Sequence, residues 1–593
     1  MANIFNSIPL RAPKLNAFDL SHDVKLTCEM GQLVPIFCEP VLPSDRFKVS
    51  SEHLVRFAPL QSPIMSNVDV YVHFFFVPNR IIWPNWETFI TGAENGNKLA
   101  EEDVPTPPFL TFATSAANMQ PAKVLGVGTG SFSFYGGQTG RPLLQNGNLA
   151  DYLGFQTYTS SELASIANNS GLGSLGYEID ELPFRAYQRI WFDYYRDENL
   201  SDAHNFFNTS STGVGLDDGF IFNHDGFLKV ADQNMVNEVS GLMSLRQRAW
   251  RKDYFTSALP WAQKGDDVLI PSNISGSLSR SGAATADFSL PNQKGFMVNN
   301  SGILSSSTAI LASEGSGGSG NSSELVMTSP SGTRSQVSLN LSNFGIDVAD
   351  ESTIRELRRA YAAQAFLERR AVGGSRYNEQ ILSFFGVKTS DGRLQRAEFL
   401  GGSKQPVVVS QVLQTSESTE NSPLGEPAGT AVSAGGKFIF DRQFEEYGFV
   451  VGIMSVIPRA DYMQGVPRKY LKKDVYDYYW PQFARIGEQE IKNQELYMDW
   501  GSINNDSVFG YTPRYSEYRF INNRIHGDFK GTLDYWHLGR DFDSTQVLNE
   551  NFITCRPSRR IFAYDGNDFN HLWVDIHVRC KALRPIPKYA ESI

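Results

Sequence analysis

Residues 68–77 read Val-Asp-Val-Tyr-Val-His-Phe-Phe-Phe-Val, and Pro78 follows. Val68, Val70, Val72, Phe74 and Phe76 alternate onto one face, which is the period of a β-strand. Pro78 ends the run because it has no N–H to give a ladder. A second stretch, Gly448-Phe-Val-Val-Gly-Ile-Met-Ser-Val-Ile457, has no polar face and predicts a strand buried on both sides. A third, His571-Leu-Trp-Val-Asp-Ile-His-Val578, alternates: Leu572, Val574, Ile576 and Val578 point one way, and His571, Asp575 and His577 the other. Pro406–Leu413 is also strand-like. Strands near both ends of the chain, with long irregular excursions between them, predict a β-sandwich whose early and late strands pair.

Composition narrows the class. Of 593 residues, 41% are apolar and 20% charged, enough for a large core. The 41 Phe, 24 Tyr and 9 Trp favour a big core or extensive interfaces over a disordered chain. The net charge of −11 excludes a generic nucleic-acid coat, so any such contact must come from local basic patches. Cys28, Cys38, Cys555 and Cys580 form no Cys-x-x-Cys pair, which argues against a zinc knuckle and a disulfide scaffold and fits a reducing cytoplasm. Residues 1–10 lack a basic region followed by an apolar one, so no secretion signal is expected. The apolar run at 68–77 is too short to span a bilayer.

One helix is predicted over 351–373. Thr353-Ile-Arg-Glu356 has the form of a capping box, Gly373 supplies a stop, and Ile354, Leu357, Tyr361 and Ala365 recur at helical spacing. At 100° per residue, Arg355, Arg358, Arg359, Arg369 and Arg370 fall within an arc of roughly 120°. The basic stripe suits a solvated face as well as it suits acidic neighbours or phosphates. Residues 351–410 hold ten basic against six acidic residues, and 553–593 hold seven against four, including Arg556, Arg559 and Arg560. These eight arginines are the candidates for facing DNA or a neighbouring subunit.

In residues 271–345, Ser, Gly and Asn fill 37 of 75 positions and only six are charged, which alone would suit a linker. Apolar islands such as Ile310-Leu311 and Leu325-Val326-Met327 favour a folded, exposed insertion, with a flexible tip at Gly315, Gly317, Gly318 and Gly320. A second Gly/Ser/Asn-rich excursion spans about 113–180. Both contain G-x-G-x-x-G matches, but neither match links a strand to a helix. No phosphate-binding loop, H-E-x-x-H or G-x-S-x-G occurs. The expectation is a non-enzyme without metal or cofactor.

Two segments interleave rings with cations: Arg468-Lys-Tyr-Leu-Lys-Lys-Asp-Val-Tyr-Asp-Tyr-Tyr-Trp480, and Tyr511-Thr-Pro-Arg-Tyr-Ser-Glu-Tyr-Arg519, continuing through Arg524. Such chemistry binds single-stranded nucleic acid by stacking, and it is also enriched at protein interfaces. The interface reading is preferred, with Tyr476, Tyr478, Tyr479, Trp480, Tyr511, Tyr515 and Tyr518 as its anchors.

Longer motifs carry a family resemblance. Val55-Arg-Phe-Ala-Pro-Leu60, Phe75-Phe-Val-Pro-Asn-Arg80 and Trp86-Glu-Thr-Phe-Ile90 come first. Then follow Leu182-Pro-Phe-Arg-Ala-Tyr-Gln-Arg-Ile-Trp191, Arg251-Lys-Asp-Tyr-Phe-Thr-Ser-Ala-Leu-Pro-Trp261 and Glu368-Arg-Arg-Ala-Val-Gly-Gly-Ser-Arg-Tyr-Asn-Glu379. Late in the chain stand Asp477-Tyr-Tyr-Trp-Pro481, Leu533-Asp-Tyr-Trp-His-Leu-Gly-Arg540 and Arg584-Pro-Ile-Pro-Lys588. In this order they resemble the major capsid proteins of microviruses, the small icosahedral single-stranded-DNA bacteriophages. The pattern is closest to the gokushovirus-like branch.

The resemblance implies a mainly β subunit: a single eight-stranded antiparallel jelly roll with long loop insertions and a few helices. Its core would come from about 45–95 and 400–593, and 271–345 would be a protrusion at the three-fold axes. It implies a T = 1 shell of about sixty copies around a circular single-stranded DNA genome, presenting the host-attachment surface. The implied partners are other copies of the chain, a small basic DNA-packaging protein, an internal scaffolding protein, a pilot protein and a host cell-surface receptor, but no membrane. The implied location is the virion, assembled in the bacterial host cytoplasm. The alternatives are a β-sandwich carbohydrate-binding or hydrolytic protein and a cytoplasmic nucleic-acid-binding protein.

Overall fold

The structure, a computed structural model, describes residues 14–91, 107–112, 146–159, 161–162, 177–201, 242–265, 278–280, 311–312, 325–328, 334–337, 344–346, 354–374, 376–388, 390–413, 427–484, 487–501, 503–566 and 569–588. The candidate tip glycines Gly315, Gly317, Gly318 and Gly320, and Thr353 of the expected capping box, lie outside the described residues. Residues 1–265 with 367–593 form one unit and 266–366 a second.

The first unit opens with five strands: β1 (Asn16–Asp19), β2 (His22–Cys28), β3 (Val34–Val41), β4 (Arg46–Phe57) and β5 (Val68–Pro78). A two-stranded ribbon follows, β6 (Phe109–Phe112) with β7 (Tyr177–Asp180). In the second unit, β8 (Leu278–Arg280) has its partner in a later strand. There β9 (Leu311–Ala312), β10 (Leu325–Thr328) and β11 (Arg334–Val337) make a three-stranded sheet, and β12 (Phe344–Ile346) pairs with β8. The chain returns to the first unit with β13 (Glu398–Pro406), β14 (Val408–Leu413), β15 (Pro427–Gln443), β16 (Gly448–Pro458), β17 (Glu488–Lys492), β18 (Val508–Pro513) and β19 (Leu572–Arg584).

Two sheets of the first unit dominate. One runs β19-β4-β15-β14, with β1 and β2 both paired to β19; the other runs β13-β5-β16-β3. All these pairs are antiparallel, so residues near the two ends of the chain meet: Phe57 stands opposite Leu572, and Arg46 opposite Leu583. The inward row of each strand supplies one shared core. Phe47, Val49, Val55 and Phe57 of β4, Val70, Val72, Phe74 and Phe76 of β5, Val450 and Met454 of β16, and Leu572, Val574, Ile576 and Val578 of β19 all belong to it.

The outer face of the second sheet is buried too. Phe75 and Val77 of β5, with Val451 and Ile453 of β16, pack in a second core against Ile82, Trp83 and the helix Leu182–Ile190. Every position of β16 is buried, because one face meets each core. The helix brings its own polar partners. Arg185 is paired with Glu181 at 2.6 Å, Tyr187 donates to the Leu33 carbonyl at 2.8 Å, and Gln188 donates to the carbonyls of Leu242 and Ser244. Tyr187 and Gln188 are thereby satisfied, which spares the core a cost of roughly 1–3 kcal/mol for each, while one oxygen of the buried Glu181 carboxylate has no hydrogen-bond partner.

Two expectations are corrected. His571 does not share an exposed face with Asp575 and His577. It is fully buried one residue before β19, with Nδ1 2.8 Å from a Glu29 carboxylate oxygen and Nε2 2.9 Å from the Tyr564 carbonyl. The helix runs Ile354–Val372, but its expected apolar stripe is uncovered, with Leu357 and Tyr361 exposed. The left-handed residue that stops it is Gly374 (φ 90°), one position beyond Gly373, whose N–H still reaches the Arg369 carbonyl.

The two faces of a strand should respond differently to truncation. Phe74→Ala, at a fully buried position, should cost about 3–5 kcal/mol. Trp573→Ala, on the outward row of β19, should cost less than about 1 kcal/mol. Urea unfolding of purified subunits measures both, and equal costs would contradict the assigned faces.

Candidate functional site

The two ring-and-cation segments meet through the β17–β18 hairpin. Gln489 of β17 accepts the Tyr515 N–H at 3.0 Å, just after β18. Tyr515 sits in the left-handed region at φ 62° and is buried, which aims its hydroxyl back at the earlier segment. That hydroxyl lies 3.2 Å from the Tyr478 carbonyl, to which it donates, and 3.3 Å from the Trp480 N–H, from which it accepts. One buried tyrosine therefore pins 478–480 against 515.

Rings and cations build outward from this pin. Tyr479 lies 5.1 Å from Tyr515 and 6.2 Å from Tyr518, both edge-on. Lys472 stands 4.0 Å from the centre of the Tyr518 ring and 5.1 Å from that of Tyr478, and it donates to the Tyr518 hydroxyl. Arg514 lies over Tyr515 and Phe483, and Trp480 Nε1 donates to the Val475 carbonyl at 2.9 Å. The outer side chains stay uncovered: Tyr476, Tyr478, Tyr479, Trp480 and Tyr518 are between 43% and 62% exposed, and Ile521 is 77% exposed. Exposed rings gathered in this way are the kind of surface that suits a protein contact.

The seven candidate aromatics thus divide. Five form the exposed surface. Tyr515 is its buried support, and Tyr511 is half-buried in β18, its backbone paired with Leu259. Phe483, edge-on to Tyr476 at 5.6 Å, belongs to the surface although it was not a candidate. Only the extension of the aromatic pattern past Trp480 could have suggested it.

The arginine candidates divide as well. Arg355, Arg358, Arg359, Arg369 and Arg370 are exposed. Arg369 donates to the Ser383 carbonyl and lies 5.2 Å from the Phe384 ring centre, which ties the end of its helix to the next one, Tyr377–Phe385. Arg556 is exposed. Arg559 is 3.4 Å from the Glu29 carboxylate that also holds His571, and Arg560 donates to the carbonyls of Asp534 and Gly539 at 2.9 and 2.7 Å. The last two brace this subunit internally.

Beside the surface, one carboxyl is poorly accommodated. Glu488 begins β17 and has a buried oxygen without a hydrogen-bond partner. Burial first, and the Glu368 carboxylate second, push its pKa up to about 7 against the pull of Arg519. Among the described residues no group of His, Cys, Asp and Glu gathers to hold a metal ion, and no helix is long and apolar enough to cross a membrane.

Comparison with known proteins adds the family. Residues 8–129 and 150–593 match the family described as "Capsid protein (F protein)". The chain is 34% identical to the capsid protein VP1 of Chlamydia phage 1, covering 100% of this chain and 97% of that protein. It is 31% identical to VP1 of Bdellovibrio phage phiMH2K, over 99% of this chain and 96% of that one. For VP1 of Spiroplasma virus 4 the identity is 26%, over 96% and 94%.

Glu488 makes stability depend on pH with a definite sign. Its folded pKa near 7 exceeds the unfolded 4.5, so the folded state holds the proton more tightly. Stability should therefore fall as pH rises from about 4.5 to 7, by at most on the order of 3 kcal/mol, and level off above. Glu488→Gln should flatten that slope and raise the urea midpoint at pH 8. An unchanged slope in the variant would show that another group is responsible.

Proposed function

The chain belongs to the capsid protein (F protein) family and is a structural major capsid protein, and on that premise we propose that about sixty copies close into a T = 1 icosahedral shell around a circular single-stranded DNA genome. A capsid protein assembles with itself and resides in the virion. The observation that carries the reading is the match along nearly the whole chain to three phage shell proteins. The rival readings, a glycan-binding or hydrolytic sandwich and a free nucleic-acid-binding protein, have no comparable support.

We read the sandwich as an eight-stranded jelly roll. Counted along the chain, β2, β3, β4, β5, β13, β15, β16 and β19 are its strands one to eight. Their order is then 1-8-3-6 in one sheet and 2-7-4-5 in the other, with β1 and β14 as additions. This interleaving of early and late strands is the pattern of two nested Greek keys.

The exposed rings at 476–480 and 518 are the proposed contact between subunits, with Tyr515 as their support. The Arg355, Arg358, Arg359, Arg369, Arg370 and Arg556 side chains are proposed to face DNA or a neighbouring subunit. The insertion at 271–345 is the proposed outward protrusion and host-attachment surface. Assembly is placed in the bacterial host cytoplasm, with an internal scaffolding protein, a pilot protein and a host cell-surface receptor as further partners.

Charge argues for one more partner. At −11 per chain, about sixty copies carry about −660 charges, and a genome adds phosphates of the same sign. A small basic packaging protein offsets that repulsion. Capsid protein alone should bind single-stranded DNA weakly at physiological salt, with a shallow log–log salt slope, and the basic partner should restore tight binding. Filter binding across a salt series measures this. Nanomolar affinity with a steep slope for the capsid protein alone would instead place a strongly basic wall inside the shell.

Shell formation itself is visible by electron microscopy. Tyr479→Ala with Trp480→Ala should leave folded, soluble subunits and abolish closed shells, because exposed rings contribute to interfaces more than to the fold. Sedimentation separates shells from subunits. Wild-type shells from the double variant would remove this surface from the contact.

A further inference from the structure

We propose that β14 is a self-pairing edge through which two copies of this chain join their sheets across a two-fold axis. The proposal rests on the shell reading above, since it requires copies that meet. β14 closes one end of the sheet β19-β4-β15-β14 and pairs on one side only, with Val408 opposite Val432 and Leu413 opposite Pro427 of β15. Among the described residues no strand lies along its other side. Alternate N–H and C=O groups of an edge strand point away from its neighbour, so a row of backbone donors and acceptors faces outward. The side chains are uncovered as well. Val408, Val412 and Leu413 are 64%, 46% and 49% exposed, Ser410 and Gln411 are exposed, and Val409 alone packs partly against the main core.

In the two main sheets the other edges are guarded, β3 by Pro35, Glu39 and Pro40. β13 carries Glu398 and Lys404, the latter 2.9 Å from Asp69. β2 carries exposed Asp23 and Lys25, and β1 is only four residues long. Charges and short length are the usual protection against edge-to-edge pairing. β14 reads Val-Val-Ser-Gln-Val-Leu and has neither a charge nor a proline. A soluble chain retains an apolar, uncharged edge where another strand covers it.

The sequence of β14 indicates which strand that is. Val408 and Val412 stand symmetrically about Ser410, and all three alternate onto the same face. In an antiparallel pair centred on Ser410, Val408 of each copy lies opposite Val412 of the other, and the two Ser410 hydroxyls lie side by side. Val409 meets Gln411, so no like charges oppose. β-branched and hydroxyl cross-strand pairs of this kind stabilise sheets. The arrangement uses the same patch on both copies, as a two-fold contact in a closed assembly must. Main-chain hydrogen bonds across it would make one continuous sheet of two subunits.

Ser410→Cys tests the register in assembled shells. Residues directly opposed in an antiparallel pair have Cα atoms about 4.5–5.5 Å apart, within the span of a disulfide. After mild oxidation of purified shells, the variant should run as a covalent dimer of the chain on a non-reducing gel. Wild type and Gln411→Cys, whose new thiol would face Val409 of the other copy, should stay monomeric. Val412→Lys, a change at an exposed position, should leave subunits soluble and folded but lower shell yield at least about tenfold by placing a charge on the pairing edge opposite Val408 of the other copy. If wild-type chains form no shells, the shell reading itself fails. If shells form and Ser410→Cys shells show no link, only the edge proposal is overturned. Protection of amides 408–413 from hydrogen exchange in such unlinked shells would then identify a different chain as the cover.

Discussion

The register of β5 against β16 is the constraint on which the rest depends. The pair runs from Val68 opposite Pro458 to Pro78 opposite Gly448 and lies between two cores. A strand with both faces dry has no place for an unpartnered charge. The few polar groups at this level show how the fold meets that demand. Asp69, near the end of β5, is held by Lys404 at 2.9 Å and Arg459 at 3.7 Å. His73 lies 2.8 Å from the Tyr195 hydroxyl, and burial, with Arg248 nearby, pushes its pKa down to about 4. It stays neutral at ordinary pH. Gly452 has a related cause: a Cβ there would stand 2.8 Å from the Phe74 ring, so the close approach of β16 to β5 requires its absence.

Much of this was legible because strand burial writes a period into the sequence. The alternation at 68–77 and 572–578 and the unbroken apolar run at 448–457 appear in the structure as β5, β19 and β16, each facing as its pattern indicates. What the pattern could not supply is pairing. β19 lies on β4 more than 500 residues upstream, and that choice is made by complementary surfaces in the folded core. The helix Leu182–Ile190 was not legible as a helix. Arg185, Gln188 and Arg189 do fall on one face, but the run is only nine residues long and eight of them are buried, Arg185 and Gln188 included, so the stripe does not mark a solvent side. His571 fails for a related reason. Alternation placed it outside, but Glu29 and Tyr564 supply buried hydrogen bonds that local sequence does not reveal.

The candidate surface was half legible on the same grounds. Interleaved rings and cations are a compositional signal, and both segments carried it. Their convergence is not compositional. It depends on the β17–β18 register, on Gln489 reaching the Tyr515 backbone, and on a tyrosine held at positive φ, a conformation most often left to glycine. Backbone held there persists when its surroundings over-determine it. Here the surroundings are two hydrogen bonds from one phenol and contacts with two neighbouring rings.

The same cation–ring chemistry would serve both folding and the proposed assembly because water changes its strength. Inside the subunit, Arg246 lies 4.2 Å from Trp191, and Arg540 lies 4.1 Å from Phe552 with Trp250, Tyr462 and Phe542 around it. Arg246 and Trp191 are both buried, and a desolvated contact of this kind is worth about 2 kcal/mol or more. At the surface, Lys472 and Tyr518 already have their geometry; the Lys472 side chain is only 8% exposed but the ring is half exposed, so the contact lies between the exposed value of about 0.5–1 kcal/mol and the desolvated one. A neighbouring copy that excludes water from this patch would strengthen contacts that already exist, without first ordering the side chains. A subunit built this way carries a surface that is arranged in advance yet weak while alone. On the proposed contact, weak single interactions would let a misplaced subunit leave, and water exclusion over many copies would make a closed shell hold.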